Sequence, residues 1–171
     1  MSTRRLFIGL MASPAAQRAI SEYQFQYQWP PTARLTEPAK LHLTLLFLGQ
    51  VEQDAETRLR MALASVPMSP LYLRFAKPET FPNGVAVIRP DESQPLELLQ
   101  GDIAALAHSL GIASQGKQWL PHVTLARDAD GCVAPRDEPA IEWDSLAFSL
   151  VWSRPDRGAS YEVVESWSRG S

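Results

Sequence analysis

Apolar residues recur along this chain in two rhythms, one of two residues and one of three to four. The first marks strands and the second amphipathic helices. Arg4 to Leu10 predicts a strand. Ser13-Pro14 then gives an N-cap and a proline at the first helical position, opening a helix over "AAQRAISEYQFQYQ" that must stop before Pro30-Pro31. Trp29 to Ala39 predicts a loop, and Leu41 to Leu48 a second strand ended by Gly49. A helix comes next, with Leu59, Leu63 and Val66 at helical spacing. "LYLRFAK" and "VAVIR" alternate as strands on either side of the Asn83-Gly84 turn signal. In "SQPLELLQGDIAALAHSLG" the residues Leu96, Leu99, Ile103, Leu106 and Leu110 form one helical stripe, stopped by Gly111. "WLPHVTLAR" is a strand, Asp128 to Pro139 a loop rich in Gly, Pro and charge, and "SLAFSLVWS" and "ASYEVVESW" two closing strands joined through "RPDRG". Strands and helices interleave without a low-complexity linker, so residues 1–171 are expected to form a single domain.

Two of these strands break the apolar rule in the same way. "LHLTLLFLG" carries His42 and Thr44, and "PHVTLAR" carries His122 and Thr124. Residues i and i+2 of a strand share a face. Each strand therefore sets an imidazole beside a hydroxyl on one face, while Leu41, Leu43, Leu45, Val123 and Leu125 point to the other. If the strands lie close together, the two faces make one site. Two imidazoles can divide acid and base duty near neutral pH, and two hydroxyls can donate to the non-bridging oxygens of a phosphate. The motif falls once in each half of the chain, a hint of two similar lobes. The third histidine, His108, lies in the last turn of a predicted helix, where its charge suits the helix dipole and needs no catalytic explanation.

Composition narrows the chemistry. Apolar residues make up 45% and charged residues 20% of 171, as expected of a core-forming globular protein. A net charge of -3 argues against gripping long nucleic acid through many phosphates, but not against reading one nucleotide end. Carboxylates and thiols do not cluster at metal-ligand spacing, and no glycine-rich phosphate loop is present. In-line displacement at a phosphodiester, without metal or covalent intermediate, fits this inventory best. The single cysteine, Cys132, allows no internal disulfide and reads as an ordinary loop thiol. The run after Arg4 and Arg5 is too short for a signal peptide, and no apolar stretch approaches the ~20 residues of a membrane span. A soluble, cytoplasmic monomer is expected.

On these residues the chain resembles the 2H phosphoesterase superfamily, defined by two His-x-Thr/Ser-x motifs. More narrowly, it is similar to the RNA 2′,3′-cyclic phosphodiesterases, also known as 2′-5′ RNA ligases. The matching pieces are "RLFIGL", "LHLTLLFLG", "PHVTLAR", and "FSLVWS" to "YEVVESW", in order along nearly the whole chain. The resemblance implies an α+β fold with two pseudo-symmetric lobes of antiparallel sheet and outer helices around a central cleft. It implies hydrolysis of an RNA or nucleotide 2′,3′-cyclic phosphate to a 2′-phosphomonoester, with no metal and no cofactor. It gives His42 the protonation of the departing 3′ oxygen and His122 the activation of water, with Thr44 and Thr124 on the phosphate. It also implies that Phe47 stacks on the terminal base and Arg127 fixes a phosphate, each five residues after a histidine. Strict alternation puts both on the wrong face, so the strands must end, twist or bulge first. Gly49, and Asp128 with Gly131, would serve as early endings. Trp119 lies three residues before His122 and is expected to pack rather than to line the site. Three alternatives share these residues: an ATP-independent 2′-5′ RNA ligase running the reaction backwards, a non-catalytic module binding RNA ends or nucleotides, and a relative acting on other small cyclic phosphates or 2′-5′ oligonucleotides.

Overall fold

A computed structural model describes residues 2–112, 118–155 and 160–168. The strands are β1 (Thr3–Met11), β2 (Arg34–Leu35), β3 (His42–Glu52), β4 (Leu71–Thr80), β5 (Ala86–Pro90), β6 (Val123–Arg127), β7 (Ile141–Ser145), β8 (Ala147–Arg154) and β9 (Ser160–Ser168). Three helices accompany them: α1 (Pro14–Phe25), α2 (Gln53–Leu63) and α3 (Gln94–Ser109). Ser13 and Ser93 cap α1 and α3 by accepting the N–H of Ala16 and Leu96, and a proline stands in the first turn after each cap. None of these helices is long and apolar enough to cross a membrane.

All strand pairs are antiparallel, in the order β7-β4-β5-β6-β3-β1-β8-β9. This order has a centre. In the first half a strand, a helix and a motif strand succeed one another as β1, α1 and β3; in the second half the same sequence is β5, α3 and β6. β3 and β6 meet in the middle through one residue pair, Leu43 with Val123. The resemblance implied an α+β fold with two lobes of antiparallel sheet, and that is what forms. The lobes are joined as one sheet that nearly parts at its midline.

The helices cover one face. Leu6, Ile8, Leu10, Leu43, Leu45, Leu59, Ile103, Val123 and Leu125 are buried there with Phe75, Trp143 and Phe148 in one continuous core. Burying a leucine or phenylalanine side chain contributes roughly 1.5–3 kcal/mol, so this face holds the sheet together. α1 packs against β7 and α3 against β3, so each helix also reaches the other half.

Several expected elements are corrected. α1 stops at Phe25, because Gln28 leaves it to exchange two backbone hydrogen bonds with Val133. Aromatics fall at every second position from Tyr23 to Trp29, and that exit divides them: Tyr23 lies in the last turn of the helix, Phe25 is exposed, and Tyr27 stacks on Trp29 beyond it. The predicted loop from Trp29 to Ala39 contains β2 and the start of a 3-10 turn, Pro38–Lys40. β3 does not end at Gly49 but continues to Glu52. β7 was missed, although Ile141, Trp143 and Ser145 alternate inward as a strand should. In α3 the buried stripe is Leu96, Leu99, Ile103 and Ala107, with Leu106 and Leu110 at its margin. β8 and β9 form the expected antiparallel pair; most of the "RPDRG" connection lies outside the described residues.

Candidate active site

At the midline the two motif strands place His42, Thr44, His122 and Thr124 on one cleft of about 490 Å³. After Leu43 and Val123 the strands diverge, and β2 pairs with the edge of β6 that β3 has left, Arg34 opposite Arg127 and Leu35 opposite Ala126. The cleft is therefore the gap at which the sheet opens, walled by both halves and by the segment from Arg34 to Lys40.

Each imidazole is held by the backbone two residues before it. His42 Nδ1–H donates to the Lys40 carbonyl and His122 Nδ1–H to the Leu120 carbonyl, both at 2.8 Å. A carbonyl can only accept, so Nδ1 carries the hydrogen and Nε2 is the free nitrogen of the neutral ring. His42 Nε2 lies 3.0 Å from Thr44 Oγ1. Burial lowers the pKa of both rings below the ordinary imidazole value, opposed in part by these carbonyl bonds. Arg127 lowers both further, which places its charge within reach of both rings. His122 adds to the lowering of His42, while Arg89 lowers and Glu79 raises His122.

Phe47 and Arg127 also line the cleft, and the backbone shows how. Along β3, Ile8 of β1 faces Leu46 while Gly9 faces Thr44, so Leu45 is an extra residue. Along β6, Ala86 of β5 faces Ala126 while Val87 faces Thr124, so Leu125 is an extra residue. Each is a β-bulge of two residues against one, placed directly after the motif threonine. A bulge reverses the parity of the residues beyond it. Leu45 and Leu46 are buried in succession, as are Leu125 and Ala126, and the fifth residue after each histidine swings onto the histidine's face. The expected early endings are not the device. Gly49, at φ 70°, belongs to a second bulge in which Leu48 is the extra residue. Asp128, at φ 52°, comes just after the bulge in β6 and accepts a hydrogen bond from Arg34.

Other cleft residues have no signal in the sequence. Phe7 stacks on His42 with ring centres 4.6 Å apart, and Tyr161 meets the same ring edge-on at 5.2 Å. Phe81 meets His122 edge-on at 5.2 Å. The Arg5 guanidinium lies 5.1 Å from the centre of the Phe47 ring. Its neighbour Arg4 pairs with the buried Glu56 on the helix side. Trp119 packs against the core and its indole N–H donates to the Thr44 carbonyl at 3.0 Å. His108 is exposed in the last turn of α3, away from the cleft. Among the described residues, no three His, Cys, Asp or Glu side chains gather as a metal ion would require.

The family model of the 2′-5′ RNA ligase superfamily matches residues 12–151. The chain belongs to that superfamily. An RNA 2′,3′-cyclic phosphodiesterase of Thermus thermophilus is 31% identical, over 96% of this chain and 89% of its own. The Bacillus subtilis protein of the same name is 25% identical over 92% of each chain. Among solved structures, Escherichia coli LigT complexed with 3′-AMP superposes with a TM-score of 0.89 at 22% identity, covering 99% of this chain and 100% of its own.

Proposed function

We propose that this superfamily member is an RNA 2′,3′-cyclic phosphodiesterase that opens a terminal 2′,3′-cyclic phosphate to a 2′-phosphomonoester. The observation that carries the reading is the pair of imidazoles in one cleft, each with Nδ1 tied to a carbonyl and Nε2 left for chemistry. The names of the Thermus and Bacillus relatives support the same reaction. Attack of water on phosphorus needs a base for the incoming proton, and cleavage of the P–O3′ bond needs an acid for the leaving oxygen. Two histidines sharing one proton meet both needs and exchange protonation states each turnover. The family resemblance gives His42 the acid's part and His122 the base's. Thr44 and Thr124 donate to the phosphate oxygens, Arg127 balances the developing charge, and Phe47 stacks on the terminal base. We read the chain as one domain of two lobes, acting as a monomer. We place it in the cytoplasm, where its one cysteine stays reduced.

The test is hydrolysis of 2′,3′-cyclic AMP and of a short RNA ending in a cyclic phosphate, with excess chelator. Phosphorus NMR should show a 2′-phosphate. A 3′-phosphate, or no turnover of either substrate, would overturn the reading.

A further inference from the structure

The two bulges set the site, and the carbonyl of each extra residue accepts a hydrogen bond from a side chain elsewhere in the fold. The donors come from the opposite halves. Gln100, on α3 of the second half, donates from Nε2 to the carbonyl of Leu45, the extra residue of the first motif, at 3.2 Å. Gln24, on α1 of the first half, donates to the carbonyl of Leu125, the extra residue of the second motif, at 2.9 Å. Its second amide hydrogen goes to the Thr36 carbonyl at 3.2 Å, on the segment that walls the cleft. Thr36 N–H also donates to Leu125 O, so Gln24 makes the second bond to that oxygen and ties it to the Thr36 segment. Gln24 is only 4% exposed, a costly place for an amide that holds nothing. The partners are all carbonyl oxygens, so each glutamine must present its NH2 group, and no acceptor side chain can replace it.

We propose that Gln24 and Gln100 are positioning residues that cross-brace the site. Each holds the bulge of the other half's motif and so aims the residue two positions further on, Gln100 acting on Phe47 and Gln24 on Arg127. Neither half completes its own cleft wall. His42, Thr44, His122 and Thr124 precede the bulges and keep their places without the braces. Loss of a brace therefore weakens hold on the substrate more than it slows chemistry. The proposal takes its substrate from the cyclic phosphodiesterase reading but not its geometry.

The experiment uses Gln24→Met and Gln100→Met, which keep the side-chain length and remove the donor. Each is made alone and in combination with Phe47→Ala or Arg127→Ala, and kcat and KM are measured on 2′,3′-cyclic AMP. Gln100→Met should raise KM by about 2- to 10-fold, the size of one lost hydrogen bond, with kcat within about twofold. It should add nothing once Phe47 is alanine, yet keep its full effect with Arg127→Ala; Gln24→Met should show the opposite dependence. Thermal stability should fall by the same amount in every background. A kinetic loss of equal size in all backgrounds, or a loss of stability with KM unchanged, would overturn the bracing role. Should Gln24→Met fail to fold, Gln100, on a half-exposed face of α3, carries the test alone. Amide NMR shifts of the ligand-free protein separate this proposal from the assigned activity. Gln100→Met should move the signals of Phe47 and Arg5 whether or not cyclic AMP is a substrate. Shifts confined to α3 would refute the brace.

Discussion

His42 and His122 hold equivalent places in the two halves, one residue from the central pair and tied by Nδ1 to a carbonyl two residues back. Their surroundings are not equivalent. His42 is covered by Phe7 and Tyr161, which also touch each other, an aromatic cluster drawn from β1 and β9. His122 meets one ring, Phe81, and feels the charges of Arg89 and Glu79 from β5 and β4. The repeat thus reproduces the backbone and varies the environment. The difference teaches that a symmetric motif can yield two unlike titrating groups, which acid-base catalysis needs. Burial leads the lowering at both rings, and the nearby His122 lowers His42 further. The acid's part that the resemblance gives His42 therefore falls to the ring with the more extensive aromatic cover.

The comparison breaks most severely by removing either ring. His42→Ala and His122→Ala should each lower kcat by about 10²- to 10⁴-fold with the circular dichroism spectrum unchanged, while His108→Ala stays close to wild type. A folded His42→Ala enzyme of undiminished rate would end the two-histidine mechanism. Arg127→Ala comes next. It removes a charged partner felt by both rings, and kcat/KM should fall by roughly 10- to 100-fold, the range of a hydrogen bond to a charged group.

A smaller effect sharpens the difference between the halves. Gly9 lies opposite Thr44, and a Cβ there would sit 2.9 Å from the Leu43 carbonyl and 3.3 Å from the Phe7 ring. The carbonyl is backbone and cannot step aside cheaply, so Gly9→Ala must displace Phe7 from His42 or spread β1 from β3. Overpacking of this kind costs about 1–3 kcal/mol. At the equivalent place in the second half, opposite Thr124, stands Val87, which already bears a side chain. Val87→Ala should therefore cost stability without disturbing His122. Thermal melts and kcat of the two variants measure this asymmetry: Gly9→Ala should lower both, and Val87→Ala stability alone.

The motif residues were legible because strand parity alone puts His42 with Thr44 and His122 with Thr124. Phe47 and Arg127 were legible only as positions, since parity assigned them to the wrong face. A bulge is an extra residue in a register with a partner strand, and the pairing of β1 with β3 or β5 with β6 is absent from local sequence. Gly49 was read as an ending for the same reason: a glycine at positive φ serves a bulge as well as a turn. Phe7 and Tyr161 were invisible as cleft residues, and Phe81 as a neighbour of His122, because each lies on a different segment from its histidine. β7 could have been read from its alternation, but it is short and comes after a stretch dense in turn residues.

The finest discrimination is the order of protonation. NMR titration of the ligand-free protein should show both imidazoles titrating below about 6.5. If the aromatic cover sets the order, His122, against one ring, should take its proton at higher pH than His42, against two. Stability responds in a definite direction. Unfolded histidines gain protons near pH ~6.5 while the folded rings resist, so the contribution of the neutral rings is complete above that pH and is lost as pH falls through the lowered values. For catalysis, the free enzyme with one proton on the pair exists between the two lowered values, so the bell in kcat/KM should lie on the acid side of about 6.5. Replacing the cover over His42, as in Tyr161→Leu, should let water reach that ring and move its titration toward the ordinary value while His122 changes little. If His42 instead titrates first, the aromatic cover does not govern the pair and the implied roles stand as they are. If His122 titrates first, then either His122 is the acid, or His42 gains its proton only when the substrate's negative phosphate arrives beside it. Repeating the titration with 2′-AMP bound distinguishes these, because only the second case requires the order to reverse.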